Sequence, residues 1–435
     1  MLWQEKRLRF VADLNPPVRV DLLETPDAEL SFLPMESIGE DGTLNLERTR
    51  PVAEVRNGYS YFENGDVAFA KVTPCFENGK GAVMRNLEGG AGFGTTELTV
   101  LRPKADTNAR FLNYVVLSER FRQLGAAAML GAGGLKRVPD EFTRDFATPW
   151  PDVTAQERAA NFLDEKTTRI DALIAEKERL ISTVEEYEHS AISKLIMAGV
   201  TGKPLEETGR VFVPKAPDDW RVATFKRALI GMNQGWSPQC EGRPAEDHEW
   251  GVLKVGCVNG GRFDAQENKA LPADLEPDLS CVLRKGDVLM SRANTRELVG
   301  LAALVEEDYP NLLLCDKLYR LELRPDWILP EFAVLLLRSD TSRQQIELGA
   351  SGASSSMQNI SQDVVRELEM AFPPVDEQSA IVVKAREIRD ACHQLIAHCE
   401  SHIERLREYR SSLISAVVTG QLGVDSLGCS ELEAA

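Results

Sequence analysis

Ile170-Asp171-Ala172-Leu173-Ile174-Ala175-Glu176-Lys177-Glu178-Arg179-Leu180-Ile181-Ser182-Thr183-Val184-Glu185-Glu186-Tyr187 has no Gly or Pro, is rich in helix formers, and returns an apolar residue every three or four positions. The pattern occurs twice. Leu173, Ile174, Ile181, Val184, Tyr187, Ala191, Ile192 and Leu195 match Leu395, Ile396, Ile403, Leu406, Tyr409, Leu413, Ile414 and Val417, every pair at the same offset along the chain. Upstream, Asn64-Gly65-Asp66-Val67 returns as Lys285-Gly286-Asp287-Val288, Leu101-Arg102-Pro103 as Leu323-Arg324-Pro325, and Phe111 with Ser118 as Phe332 with Ser339. An offset that holds this steadily over so many matches means a duplicated unit, globular first and helical second.

The globular parts carry short apolar runs punctuated by Gly, Pro and Asn, such as Asp66-Val67-Ala68-Phe69-Ala70 and Asp287-Val288-Leu289-Met290-Ser291, which read as strands and turns. Each ends at prolines, Pro149-Trp150-Pro151 and Pro373-Pro374, which a helix interior excludes. A first helix is expected over about 153–198, a rod of roughly 70 Å at ~1.5 Å per residue, and a second over about 377–418. Gly199 to Pro204 and Thr419-Gly420 supply the stops. The fold class is α+β with a pseudo-twofold internal repeat: two homologous α/β domains separated by two long helices that form an antiparallel coiled coil. Leu173, Ile174, Ile181, Val184 and Tyr187 are expected to face Leu395, Ile396, Ile403, Leu406 and Tyr409. The alternatives are that each helix packs on its own domain or that two chains dimerise. The boundaries fall at 1–150, 151–203 for the first helix and turn, 204–374, 375–420 for the second helix, and 421–435 for a loose tail.

The chain has 435 residues, 43% hydrophobic and 27% charged, enough to bury cores in two or more domains. No apolar run reaches the roughly 20 residues of a membrane span, and Met1 to Arg7 opens no secretory signal, so a cytoplasmic location is expected. Eight cysteines without a CxxC pair read as reduced thiols. The net charge of −18 opposes phosphate binding, and none of the segments 1–150, 151–203, 204–374 and 375–435 is basic, at −3, −3, −8 and −4. Nucleic-acid contact therefore requires local Lys/Arg clusters.

Gly65-Asp66-Val67-Ala68-Phe69-Ala70-Lys71-Val72-Thr73-Pro74-Cys75-Phe76-Glu77-Asn78-Gly79-Lys80 resembles the GDxxxAKxTPCxENGK element of the specificity subunits of type I restriction-modification systems. Pro373-Pro374-Val375-Asp376-Glu377-Gln378-Ser379-Ala380-Ile381 is similar to that family's PPxxEQxxI boundary, and Phe162-Leu163-Asp164 with Thr168 to Ile174 to its first helix. The first boundary departs, with Gln156-Glu157 reading as an inversion of Glu-Gln. The resemblance covers nearly the whole chain. It implies two target recognition domains that read the halves of a split double-stranded DNA sequence, with the helices as a ruler. It also implies a non-catalytic chain that assembles with two modification (methyltransferase) subunits and with restriction (translocase and nuclease) subunits. S-adenosylmethionine, ATP and magnesium then belong to the partners, with no cofactor in this chain. The other reading is a coiled-coil protein scaffold without DNA specificity, which the acidic balance suits.

DNA contact calls for cationic and amide side chains on turns. In the first domain Lys71, Thr73, Asn78 and Lys80 surround one turn, and Gly131 to Arg137 offers Lys136 and Arg137. In the second, Arg292, Asn294 and Arg296 lie in one loop, Ser354, Ser355 and Gln358 in another, and Ser237 in a third. No catalytic residue is assigned. Asn15-Pro16-Pro17-Val18 has Val where amino-methyltransferases place an aromatic and is read as a turn. Asp164 and Lys166 point about 200° apart on a helix and cannot share an ion. Cys75 as a nucleophile would need a base, and no His precedes His189, so its own domain offers no His for that role and it reads as a packed thiol. Gly79-Lys80 and Gly202-Lys203 complete no phosphate loop, and His398 with His402 lacks further metal ligands, so no metal site is assigned.

Overall fold

The computed structural model describes residues 3–131, 134–354 and 357–423. It divides into two units, one of Met1–Leu180 with His398–Ala435, the other of Ile181–Ala397. Within the first, one sheet runs Ala12–Leu14, Leu98–Pro103, Val67–Ala70, Gly81–Val83, and a second runs Thr49–Pro51, Glu29–Leu33, Ala91–Gly94, Ser60–Glu63. The inner pair of the second sheet, Glu29–Leu33 with Ala91–Gly94, is parallel. The other unit repeats this order with Leu229–Gln234, Leu318–Leu323, Val288–Ser291, Ala302–Leu304, and with Asn268–Ala270, Gly251–Leu253, Tyr309–Leu313, Val282–Leu283. Its parallel pair falls at the same place, between Gly251–Leu253 and Tyr309–Leu313. The duplication therefore extends to strand order and direction.

The register corrects one of the sequence matches. Leu101 lies opposite Val67, and the residue opposite Val288 is Leu321, not Leu323. The stretch between the facing strands is one residue shorter in the second copy, so the Leu-Arg-Pro recurrence pairs positions that the backbone does not.

Two short helices follow in each copy, because the starts are supplied with caps. Asn108 accepts from the N–H groups of Arg110 and Phe111, and Ser118 from that of Phe121; Ser339 does the same for Ser342. Pro330 sits at the first turn of its helix, where its missing N–H costs nothing. The first unit's core gathers Phe121 against Phe69, Phe76, Phe142 and Phe146, with ring centroids 4.9–5.8 Å apart.

The long helices cover Val153–Ala198 and Val375–Val418, and both stop at a glycine in the left-handed region, Gly199 (φ 70°) and Gly420 (φ 73°). Each starts on a buried glutamine. Gln156 Oε1 accepts from Asn108 N–H at 2.8 Å while its Nε2 donates to the carbonyls of Asp106 and Pro151 at 3.1 and 2.9 Å. Gln378 Oε1 accepts from Leu329 N–H at 2.9 Å and its Nε2 donates to Trp327 and Pro373, both at 2.8 Å. The two stand at the offset that relates the helices and do the same work. The expected Gln-Glu inversion is thus no inversion: Gln is retained in place, and Ala155 stands where the second copy has Glu377.

A row of buried or half-buried side chains runs along the first helix at Leu163, Thr167, Ile170, Ile174, Lys177, Ile181, Val184 and Glu188, four and three apart in alternation. The second helix has Cys392, Ile396, Cys399, Ile403, Leu406, Arg410 and Leu413 at the same rhythm, the heptad pattern of a seam. Ile174, Ile181, Val184, Ile396, Ile403 and Leu406 lie in these rows. Leu173, Tyr187, Leu395 and Tyr409 do not: they are exposed, by 45%, 61%, 42% and 58%. Each precedes a seam residue by one position and so sits about 100° round the helix. At Glu188 and Arg410 the seam itself is charged, and the neighbouring tyrosines misled the reading by hydropathy.

Contacts between the helices are made inside each unit. In the first, Arg410 grips Asp171 at 2.9 and 3.3 Å and Arg407 meets Glu178 at 3.1 Å, while Leu163, Ile170, Leu413, Ile414 and Val417 enter one core. In the second, Arg389 and His393 approach Glu188 at 3.5 and 3.8 Å, and Ile192, Leu195, Ile381 and Ala385 pack together. Among the described residues no helix is long and apolar enough to cross a membrane.

Candidate nucleic-acid interface

Lys71 extends the strand Val67–Ala70, and its backbone holds two other segments. Its N–H donates to the Glu97 carbonyl at 2.8 Å, and its carbonyl accepts from Val138 N–H at 2.8 Å. Further along, Thr73 N–H and Oγ1 both donate to the Lys136 carbonyl, at 3.0 and 3.2 Å. Leu130 and Arg137 exchange backbone bonds of 3.0 and 2.9 Å, closing the turn that carries Lys136. Lys71, Thr73, Lys136 and Arg137 therefore come together, and with them Glu97, which nothing in the linear sequence marked. Arg137 lies along it: Nε donates to Glu97 Oε2 at 2.8 Å and Nη2 to Oε1 at 2.6 Å. The guanidinium, with Lys71 beyond it, holds the Glu97 carboxyl below the usual carboxylate range.

Asn78 and Lys80 are not part of that group. The Asn78 amide donates to Glu40 at 2.8 Å and the Lys80 ammonium to the Met35 carbonyl at 3.1 Å, because the turn between them and Thr73 swings both toward residues 35–40.

The second unit repeats the frame. Arg292 N–H donates to the Lys317 carbonyl at 2.8 Å, and the Arg292 carbonyl accepts from Ile360 N–H at 3.0 Å. Ala293 pairs with Asn359 and Asn294 with Gln358, as Val72 bridges Arg137 in the first unit. Lys71 thus corresponds to Arg292, Glu97 to Lys317, Lys136 to Gln358 and Arg137 to Asn359. Ser237 joins this group through the Asp316 carboxylate, whose backbone carbonyl accepts from Arg292 Nη1 at 3.4 Å. The Asn294 amide is spent locally, donating to Asn259 at 3.1 Å and accepting from Thr295 N–H at 2.9 Å. Arg296 stands apart, exposed, 3.6 Å from Glu347. Ser354 contributes backbone to the strand Ser351–Ser354, and Ser355 lies outside the described residues.

Two arginines that sequence reading passed over steady these loops from beneath. Arg122 donates to the Glu77 carbonyl at 2.9 Å and to Ser411 Oγ at 3.2 Å; Arg343 donates to the carbonyls of Val299, Glu297 at 3.1 Å and Arg296 at 3.4 Å. They stand at the same offset as Phe111 and Phe332, so extending the self-comparison would have found them. Burial pushes both guanidinium pKa values down, which the neighbouring charges of Glu119 and Glu347 do not reverse.

The remaining candidates are structural. Asn15 closes a sheet edge, its Oδ1 accepting from Val100 N–H at 3.0 Å. Asp164 takes bonds from Arg110 at 2.6 Å and Tyr114 at 2.7 Å, fixing the long helix to the helix Ala109–Leu117. The His398 and His402 rings lie with centroids 4.2 Å apart, tilted by 50°, and among the described residues no group of three or more His, Cys, Asp or Glu is placed to hold a metal ion.

One extensive similarity is to the Escherichia coli type I restriction enzyme EcoEI specificity subunit, 28% identical over 476 residues that cover 92% of this chain and 80% of that protein. Over most of its length the chain is therefore similar to a type I restriction enzyme specificity subunit. The EcoAI specificity subunit, also from Escherichia coli, is 40% identical over 159 residues, 36% of this chain and 26% of that protein. No family model matches. A solved chain from work on complex assembly and conformational transition of the type I R-M system superposes with TM-score 0.74 at 18% identity, over 97% of this chain and 98% of its own. The HsdS subunit from Thermoanaerobacter tengcongensis gives 0.57 at 17% identity, over 97% of each chain. These two establish the shared fold.

Proposed function

We propose that the chain is the non-catalytic DNA-recognition subunit of a type I restriction-modification complex, each unit presenting its strand-and-turn frame to one half of a two-part target. The observation that carries this reading is the repeated frame itself, Lys71 with Arg137 and Arg292 with Asn359, on repeated sheets in a relative of specificity subunits. Local cations on turns, not net charge, then meet the DNA, and the −18 total keeps nonspecific affinity low. The long helices pair as an antiparallel coiled coil that sets the distance between the half-sites. The heptad rows support that pairing, as do the ion pairs of the first unit, where Arg410 meets Asp171 and the lower-numbered Arg407 meets the higher-numbered Glu178. Two modification subunits dock equivalently, one per repeat, and restriction subunits complete the assembly. S-adenosylmethionine, ATP and magnesium are held by those partners. Methylome sequencing of cells carrying the chain with modification subunits tests the reading: a split methylated motif with a fixed gap is expected, and a continuous motif or none contradicts it.

A further inference from the structure

We infer that Arg137 reads a guanine in the first half-site and that Glu97 is the positioning residue that aims it. This rests on the proposed DNA recognition. The argument begins with how Arg137 is held. Nε and Nη2 face the carboxylate, so the side-on edge of the fork is occupied. The adjacent Nη1/Nη2 edge is not the one that grips Glu97, and its parallel N–H groups match the O6 and N7 acceptors that guanine shows in the major groove.

Charge separates this role from a phosphate contact. A phosphate bound by Arg137 would lie beside the Glu97 carboxylate, like charge against like, whereas the neutral guanine edge meets no such penalty. Structural use of the pair is a weak explanation, because Arg137 is 48% exposed and such pairs add little to stability. The turn that delivers Arg137 contains Gly131 and Gly134, at φ 140° and 85°, conformations that suit close backbone approach. In the second unit the same two backbone positions hold Lys317 and Asn359, so neither the aiming carboxylate nor the fork is present there.

The test is selection of bound sequences from randomised duplexes by the full chain assembled with modification subunits, comparing the unsubstituted protein with Arg137→Ala, Arg137→Lys, Glu97→Gln and Glu97→Asp. One guanine in one half-site should lose its preference by about 10- to 100-fold in both Arg137 variants. Glu97→Gln should lose part of it and Glu97→Asp should recover most, with the other half-site and the spacer unaltered. Equal weakening across all sequences would make Arg137 a phosphate contact and overturn the inference, as would an unchanged profile. No sequence preference in the unsubstituted assembly would sink the proposed function itself, and this inference with it.

Discussion

The two units carry the same frame with different side chains. Strand order, the parallel pair, the buried glutamines and the arginines Arg122 and Arg343 all recur, yet Glu97 and Arg137 give way to Lys317 and Asn359. The division follows burial. Gln156 and Gln378 are fully enclosed and satisfy backbone groups that would otherwise be stranded, so each is fixed by its surroundings. Arg137 is half-exposed and its fork lies on the surface beside Glu97, so its replacement leaves the fold intact. Under the proposed function, one architecture is in this way kept while two different half-sites are read.

The glutamines give the strongest check on equivalence. Gln156→Ala and Gln378→Ala each remove the side-chain partner of three backbone groups, one in a buried bond and two in part-buried ones, and should destabilise by about 2–3 kcal/mol, measured by urea denaturation. The two losses should agree within ~1 kcal/mol; a large difference would mean that the helix starts are not equivalent after all. The seam comes next. Ile403→Ala should cost about 2–4 kcal/mol, whereas Tyr409→Ala, on the exposed side, should stay within about 0.5 kcal/mol. Equal costs would restore the tyrosines to the interface. Among the ion pairs, Asp171→Asn removes the partner of Arg410, whose side chain is 19% exposed, and should lower stability by ~1 kcal/mol. Glu178→Gln, whose partner Arg407 is 64% exposed, should change it by less than about 0.3 kcal/mol.

The smallest effect is in acid. Glu97 has its folded pKa lowered from 4.5, so its contribution is present above the unfolded value and is lost as pH falls through the folded one. Glu97→Gln should therefore flatten the stability curve slightly below pH 4.5, and the second unit, with Lys317 in that position, has no matching component. An unaltered acid limb would mean that the pair contributes nothing in solution.

Much of this was legible in the sequence because the repeat is long and the helices are uninterrupted: hydropathy and the flanking prolines and glycines place both rods to within a residue or two. The seam was only half legible. Where it is apolar, at Ile174, Ile181, Val184 and Ile403, periodicity finds it; where it is charged, at Glu188 and Arg410, periodicity selects the adjacent tyrosine instead. The candidate site divides in the same way. Lys71, Lys136 and Arg137 announce themselves as cations near turns, but Glu97 gains its place only through the backbone bond that brings it beside Lys71. Asn78 and Lys80 share the motif with Lys71, and a turn carries them elsewhere. The Leu-Arg-Pro match failed because identity of letters outweighed a one-residue change in loop length, which only the ladder register reveals.

The heptad rhythm supplies the most direct trial of the proposal that paired helices set the distance between the half-sites. Inserting one seven-residue repeat into both helices at matching seam positions keeps the facing residues in phase and adds ~10 Å at ~1.5 Å per residue. Methylome sequencing of cells carrying that variant should return both half-site sequences unchanged and a gap wider by about three base pairs at ~3.4 Å each. A methylated motif with its original gap would contradict the account.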